Sequence, residues 1–544
     1  MKPEGIEVEM GKKQLEKEKA PLFEALCQYK NGRQASFHVP GHKKGRAYAA
    51  LGGAGFLDQV MEADVTEISG TDDLHHPEGV IRDAQRLAAD CFGAEESFFL
   101  VGGSTSGNLA MILTVCTRPG DILLVQRNVH KSVLNGLMLA GARAVFLQPL
   151  VDEPSGLATA PAAETVTAAL AAYPEAKGVL VTMPNYYGMG TDLAPLAEAC
   201  HRHGVPLLVD EAHGAHYGQH PELPVSALAS GADVVVQSTH KMLAALTMGA
   251  MLHVQGPRVN RGLLRQRLAM VQSSSPSYPV MGSLDLARRQ LHVQGAAAFT
   301  AGLAAVEGLK RGLRELPRFG LLQPQAQQRG AAGDAAAAYA TQDPFKVVIY
   351  DRTGVLSGYE LQRRLEAWGC VPEMSDDRYV VLLYSLGSTE EDTRHLLMAL
   401  SHITVEKADA QPMHSPSRVL QPQASAHVDK AKENLAVEFS TWNIFEPTAF
   451  SEPVPFSLTP TDPDDVEAIP LEDGSGRMAA EMVIPYPPGI PVLYPGERVT
   501  EATIRKLQAL AQAGAKCQGA QDPKLRTILV YKDGDSSPDR GKLF

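Results

Sequence analysis

The chain is predicted to be an α/β protein built on a mostly parallel sheet with helices on both faces. Short apolar runs recur between about residues 97 and 238: SFFLV, DILLV, ARAVFL, KGVLVTM, VPLLVD and ADVVVQS. Segments with helical spacing, such as IRDAQRLAADCFG, SGNLAMILTVC and LAPLAEACHRHG, lie between several of them. Short apolar strands alternating with helices imply parallel strands buried on both sides.

The remaining elements follow in order. Residues 12–30 (KKQLEKEKAPLFEALCQYK) read as a helix interrupted at Pro21, and FHVPGHKKGR as a turn-rich stretch. A helix is expected near 294–315, then a loop at QPQAQQRGAAGDAAAA. FKVVIYD, GYELQRRLEAWG, YVVLLY and TEEDTRHLLMALSHI predict strand, helix, strand, helix. Residues 408–432 are rich in Gln, Ser, Pro and Ala and read as a linker. A last unit holds VIPYPPGIPVLYPGE and the helix TEATIRKLQALAQAG. The expected division is an N-terminal segment at 1–60, a major domain at 61–290, a small α/β domain at 291–407, a linker at 408–445 and a C-terminal domain at 446–544.

A chain of 544 residues is too long for one core. Its net charge of -12 argues against nucleic acid as a partner and suits a cationic substrate. The six cysteines form no CxxC pair and none sits near a His at metal-ligand spacing, so reduced thiols and no metal are expected. No apolar run approaches the ~20 residues of a membrane span. The first twenty residues mix Glu and Lys and resemble no secretory or transit signal, so a cytoplasmic location is expected.

Four polar segments follow predicted strands, where ligands bind in open α/β sheets. GGSTSGN offers Ser104, Thr105 and Ser106 at a helix N-terminus, which suits phosphate; its ordinary reading is a helix cap. VDEAHGAH places Asp210 at a strand end, as a partner for a cationic ring, a general base, a metal ligand with His213, or a simple cap. QSTHKM places Lys241 beside a buried strand end, where desolvation makes an amine nucleophilic, unless it reaches solvent. Ser238 and His240 flank it as further phosphate donors. RNVHKS places His130 where it can stack on a planar ring or relay protons; a polar His at a helix start is the plainer alternative. Together, a phosphate cradle, a carboxylate and a lysine are the three contacts that pyridoxal 5'-phosphate (PLP) requires.

The chain resembles the PLP-dependent ornithine/lysine/arginine decarboxylase family, in its shorter bacterial branch. The resemblance rests on FHVPGHKKG, DVTEISGTDDLHHPEG, GGSTSGN, RNVHKS, PNYYG, VDEAHGAH, QSTHKM, SSSPSYPVMGSLDLAR, FKVVIYD with GYELQRRLEAWG, and GRMAAEMVIPYPPGIPVLYPGE, in family order. It implies the aminotransferase-like PLP fold type I. It implies that Lys241 is the Schiff-base lysine, Asp210 the partner of the pyridine nitrogen and His130 the histidine stacked on the ring. Ser104, Thr105, Ser106, Ser238 and His240 then lie on the phosphate side, Ala212 under the ring and His213 beside it. It further implies a homodimer or higher homo-oligomer, with the segments around His42 and Tyr486 near a cofactor cleft. Asn185 stands where a Thr is expected, and LTPTDPDDVEAIP replaces a familiar segment. The expected reaction is decarboxylation of arginine, lysine or ornithine in polyamine metabolism. The alternatives are another fold-type-I activity, such as an aminotransferase or lyase, and a catalytically silent regulatory homologue.

Overall fold

The computed structural model describes residues 16–324, 338–405, 449–486, 489–512 and 514–532. Helix α1 (Pro21–Asn31) begins at Pro21 instead of being interrupted there. Proline's missing N–H costs nothing in the first helical turn. Helix α2 (Val80–Phe92) leads into β1 (Glu96–Leu100), followed by α3 (Gly103–Val115), β2 (Ile122–Gln126), α4 (Lys131–Ala140) and β3 (Arg143–Leu147). Strands β4 (Val179–Thr182), β5 (Leu207–Asp210), β6 (Val234–Gln237) and β7 (Ala250–Val254) complete the major sheet's run.

The sheet order is β1-β7-β6-β5-β4-β2-β3, closed at its far edge by Val454–Pro455, which pairs antiparallel with β3. Pairs β2–β3, β2–β4, β4–β5 and β5–β6 are parallel. Strand β7, absent from the sequence reading, runs antiparallel to both neighbours. Its sequence, AMLHV, is separated from β6 by only the four-residue helix Thr239–Met242 and a turn, so the strand–helix alternation does not announce it.

Side-chain alternation divides the core into two layers. Ile122, Leu124, Leu207, Val209 and Val235 enter one cluster; Leu123, Val125, Leu208, Val234 and Val236 enter the other. Both faces are covered, so the strands read as continuously apolar. Helix α3 lies close to the sheet at Gly107, where an added Cβ would come within 2.4 Å of Val236 Cγ2.

A helix that the sequence reading did not assign, α5 (Tyr278–Gln294), and a 3-10 segment at Gly295–Phe299 precede the helix expected near 294–315, which is α6 (Thr300–Arg314). The smaller sheet follows. Strands β8 (Phe319–Leu321), β9 (Lys346–Asp351), β10 (Met374–Ser375) and β11 (Tyr379–Leu383) pair antiparallel in the order β8-β9-β11-β10. The expected helices between and after them are Gly358–Ala367 and Glu390–Val405. The C-terminal unit has its own apolar cluster, built on a pair of strands at 466–470 and 527–531 and the helix Glu501–Gln512. The linker expected at 408–445 and most of the Gln/Ala/Gly loop lie outside the described residues.

Candidate active site

The carboxyl ends of β2, β4, β5 and β6 open onto a cavity of about 480 Å³. The major sheet contributes Ser104, Gln126, Asn128, His130, Thr182, Asp210, Ala212, His213, His240 and Lys241 to its wall; Lys346 and Glu373 come from the smaller sheet and Tyr486 and Ile490 from the C-terminal unit. The four polar segments singled out in the sequence therefore converge, because parallel strands end on one side of the sheet.

Asp210 ends β5 and is 3% exposed. Its Oδ1 accepts from the Ala212 N–H at 3.1 Å and its Oδ2 from Asn108 Nδ2 at 2.8 Å. Asn108, one turn into α3, donates also to Ser132 Oγ at 2.9 Å. Ser132 Oγ lies 2.8 Å from His130 Nδ1, and the Ser132 N–H donates to that nitrogen at 3.2 Å. Nδ1 is thus an acceptor, which leaves the proton of the neutral ring on Nε2. Burial lowers the His130 pKa to about 4 despite the Asp210 carboxylate, so the ring is neutral at pH 7. The sequence reading missed Asn108 and Ser132. Both sit in quoted motifs, but their roles depend on helices α3 and α4 packing side by side.

Lys241 lies on the short helix Thr239–Met242 after β6. Burial pulls its amine below the ordinary lysine range against the opposing pull of Asp210 and Glu373. Its Nζ is 3.0 Å from His213 Nε2. The other ring nitrogen of His213, Nδ1, is 2.9 Å from Lys346 Nζ. His213 thus turns both nitrogens to lysines and neither to Asp210. Lys346 opens β9, is 2% exposed and went unremarked in the sequence, where FKVVIYD reads as a plain strand.

At the N-terminus of α3, Ser238 Oγ donates to Ser104 Oγ at 2.9 Å. The hydroxyl of Ser106 turns back to Gly103 O at 2.9 Å, and Thr105 is exposed; neither side chain lines the cavity. The free N–H groups of this helix start are those of Ser104 and Thr105, in the first turn after the N-cap Gly102; the Ser106 N–H falls where the intrahelical ladder begins. His240 Nδ1 lies 3.0 Å from Gly249 O. Asn185 works as a turn residue: its Oδ1 accepts from Tyr187 N and Met189 N, and its Nδ2 donates to Ala158 O. The donor set suits a phosphorylated, planar, nitrogen-containing aldehyde. Thr182 Oγ1 is a buried polar atom on the wall with no partner among the described residues, as expected of a wall shaped for a ligand.

The C-terminal unit covers the mouth. Gly489 O accepts from Lys131 N at 2.9 Å, and a Cβ on Gly489 would meet His130 Nε2 at 3.0 Å. Gly489 has φ +87, a second reason for glycine there. Arg127, 4% exposed, donates to Pro491 O, Val492 O and both oxygens of Glu497. Glu481 is not at the cavity; its carboxylate accepts from Gln521 N and Leu529 N. His42 pairs at 3.1 Å with Asp64, which follows the helix Asp58–Ala63.

The major-domain profile of the Orn/Lys/Arg decarboxylases matches residues 20–392, and the C-terminal-domain profile of that family matches residues 461–523. An uncharacterized protein, YaaO, of Bacillus subtilis (strain 168) is 38% identical over 95% of this chain and 99% of its own. The arginine decarboxylase of the same organism is 32% identical over 94% of this chain and 98% of its own. The constitutive lysine decarboxylase of Escherichia coli shares the fold, with a TM-score of 0.72 over 95% of this chain and 82% of its own at 23% identity. The chain belongs to the Orn/Lys/Arg decarboxylase family and is a PLP-dependent amino-acid decarboxylase of fold type I.

Proposed function

We propose that the protein removes CO2 from arginine, lysine or ornithine, arginine foremost, and releases the corresponding amine for polyamine metabolism. One observation carries the substrate class: the cavity that holds Lys241 and Asp210 has a second carboxylate, Glu373, on its wall. Asp210 is committed to the floor of the site, so Glu373 is free to meet the cationic end of a basic side chain. Glu373 Oε1 accepts from the Tyr186 hydroxyl at 2.9 Å, which holds it in place. The relative named arginine decarboxylase supports arginine.

PLP, when bound, supplies an electron sink for the pair left at Cα as CO2 departs. Lys241, whose amine is desolvated, would hold the cofactor covalently. Asp210 keeps a proton on the pyridine nitrogen. Ser104, Ser238 and the free N–H groups of the first helical turn at Ser104 and Thr105 would receive the phosphate, with Ser106 and His240 beside them. His130, as a neutral imidazole, would hold the cofactor ring together with Ala212 and His213. Lys241 or His130 returns a proton to Cα. Tyr486 and Ile490 add an uncharged side to the cavity.

The active unit is proposed to be a cytoplasmic homodimer. Phe37, Leu51 and Phe56 are 95%, 81% and 85% exposed on one N-terminal segment, and such exposed apolar side chains favour a covering partner. Among the described residues no helix is long and apolar enough to cross a membrane. Purified protein with PLP should release CO2 and amine from at least one of the three amino acids, and kcat/KM across them ranks the substrates. Transamination or elimination without CO2 would overturn the reading, as would failure to turn over any of the three.

A further inference from the structure

Lys346 and Lys241 bracket one imidazole. Lys346 Nζ is 2.9 Å from His213 Nδ1, and Lys241 Nζ is 3.0 Å from His213 Nε2. The ring is 6% exposed, packs against Tyr186 with centroids 4.3 Å apart, and is held neutral by burial and the two lysines. A neutral imidazole has one N–H and one lone pair, whereas an ammonium group only donates. Two ammonium groups therefore cannot both bond to this ring. One amine must be neutral and accept while the other donates.

The charges around the three groups permit either arrangement. Asp343 and Glu373 act on Lys346; Asp210 and Glu373 act on Lys241; His130 and His240 add to the field at His213. The Tyr186 ring faces both ammonium positions, 5.2 Å from Lys346 Nζ and 5.8 Å from Lys241 Nζ. Tyr187, on the same turn, is occupied by Asp376, and Asp343 is bonded to the buried His216.

We propose that Lys346 is a positioning residue that sets, through His213, whether the Lys241 amine carries a proton. The inference rests on the role given above to Lys241. In the transfer, Lys241 Nζ gives a proton to His213 Nε2 as His213 Nδ1 gives its proton to Lys346 Nζ. One N–H bond breaks and one forms at each step, no electrons are exchanged, and the ring ends neutral in its other tautomer. The reverse passage returns the proton. Lys241 can then act as a free amine when it bonds to carbon and as an ammonium when it must give a proton. Burial brings Lys346 down to about 8, within reach of working pH.

The test uses the full-length holoenzyme and the variants Lys346→Met, Lys346→Arg, His213→Phe and the double variant Lys346→Met/His213→Phe. The pH dependence of kcat and of the bound cofactor's absorbance is followed from pH 6 to 9.5. The wild type should show an ionisation near pH 8 in both. Each single variant should lose it, with kcat down at least tenfold, and the double variant should be no slower than the slower single, because both break one path. Lys346→Arg keeps length and charge but cannot give up its proton, so it too should lose the ionisation, and it carries the test if Lys346→Met does not fold. Persistence of the ionisation in the Lys346 variants would overturn the proposal, as would multiplicative losses in the double variant. So would a raised KM with unchanged kcat and titration, which marks a substrate-carboxylate anchor. Covalent cofactor retained by Lys241→Ala would instead overturn the role of Lys241 itself.

Discussion

At the scale of single residues, charge decides more than shape. Asp210→Asn keeps the size of the side chain but removes the charge that holds the pyridine nitrogen protonated. We expect turnover to fall by orders of magnitude while cofactor absorbance is largely kept. Unchanged turnover would count against the assignment. Glu373→Gln keeps the Tyr186 contact and removes the charge; KM for the basic substrate should rise tenfold or more, with a smaller change in kcat. An equal loss in kcat alone would move Glu373 from substrate binding to chemistry. Asp210 and Lys241 were legible in the sequence because each ends or follows an apolar strand. Lys346 was not, because its burial is created by the smaller sheet closing over the larger.

At the scale of elements, a buried polar chain crosses four adjacent strands. Glu211, just after β5, accepts from Gln237 Nε2 on β6; Gln237 Oε1 lies 3.2 Å from His253 Nε2 on β7; His253 Nδ1 lies 2.7 Å from Ser97 Oγ on β1. Burial lowers the His253 pKa to about 3. Below about pH 6.5 the unfolded chain binds a proton that the folded His253 refuses. The stability it contributes is full above that pH and is lost as pH falls toward 3. His130, lowered to about 4, acts in the same direction. Each pH unit in the window costs up to about 1.4 kcal/mol per histidine. His253→Gln should lower stability at pH 7 by about 1–3 kcal/mol through imperfect pairing, yet flatten the decline between pH 6.5 and 4. Denaturant midpoints across that range provide the measurement, and an unaltered slope would refute the account.

At the scale of the whole molecule, the parts are tied across the cavity. Arg127 bonds the major sheet to Glu497 and to two carbonyls of the C-terminal unit. Arg127→Met should cost about 2–3 kcal/mol and raise KM, because the loop that carries Gly489 and Ile490 loses its anchor. A change in stability with no change in KM would separate the anchor from the site. Subunit sharing is tested by mixing Lys241→Ala chains with His42→Ala chains. If His42 serves the partner's site, mixed dimers should regain part of the activity. A monomer by light scattering with full turnover would exclude the shared site. Deleting part of the 408–440 segment should leave activity within a few-fold, and loss of folding would show that it packs.

The sequence by itself determined the sheet class, the strand ends and the residues that gather there. Those features are local: apolar runs, turn residues and polar groups at fixed offsets from them. Tertiary structure alone decided that β7 runs antiparallel, that Thr105 and Ser106 keep their hydroxyls off the cavity wall, and that Asn108 and Ser132 link Asp210 to His130. It also decided that Lys346, 105 positions after Lys241 by their numbering, shares His213 with it. The reason is physical. Burial and pairing belong to the space between elements, and a lysine's pKa depends on the water and charges around it, which no stretch of neighbouring residues specifies.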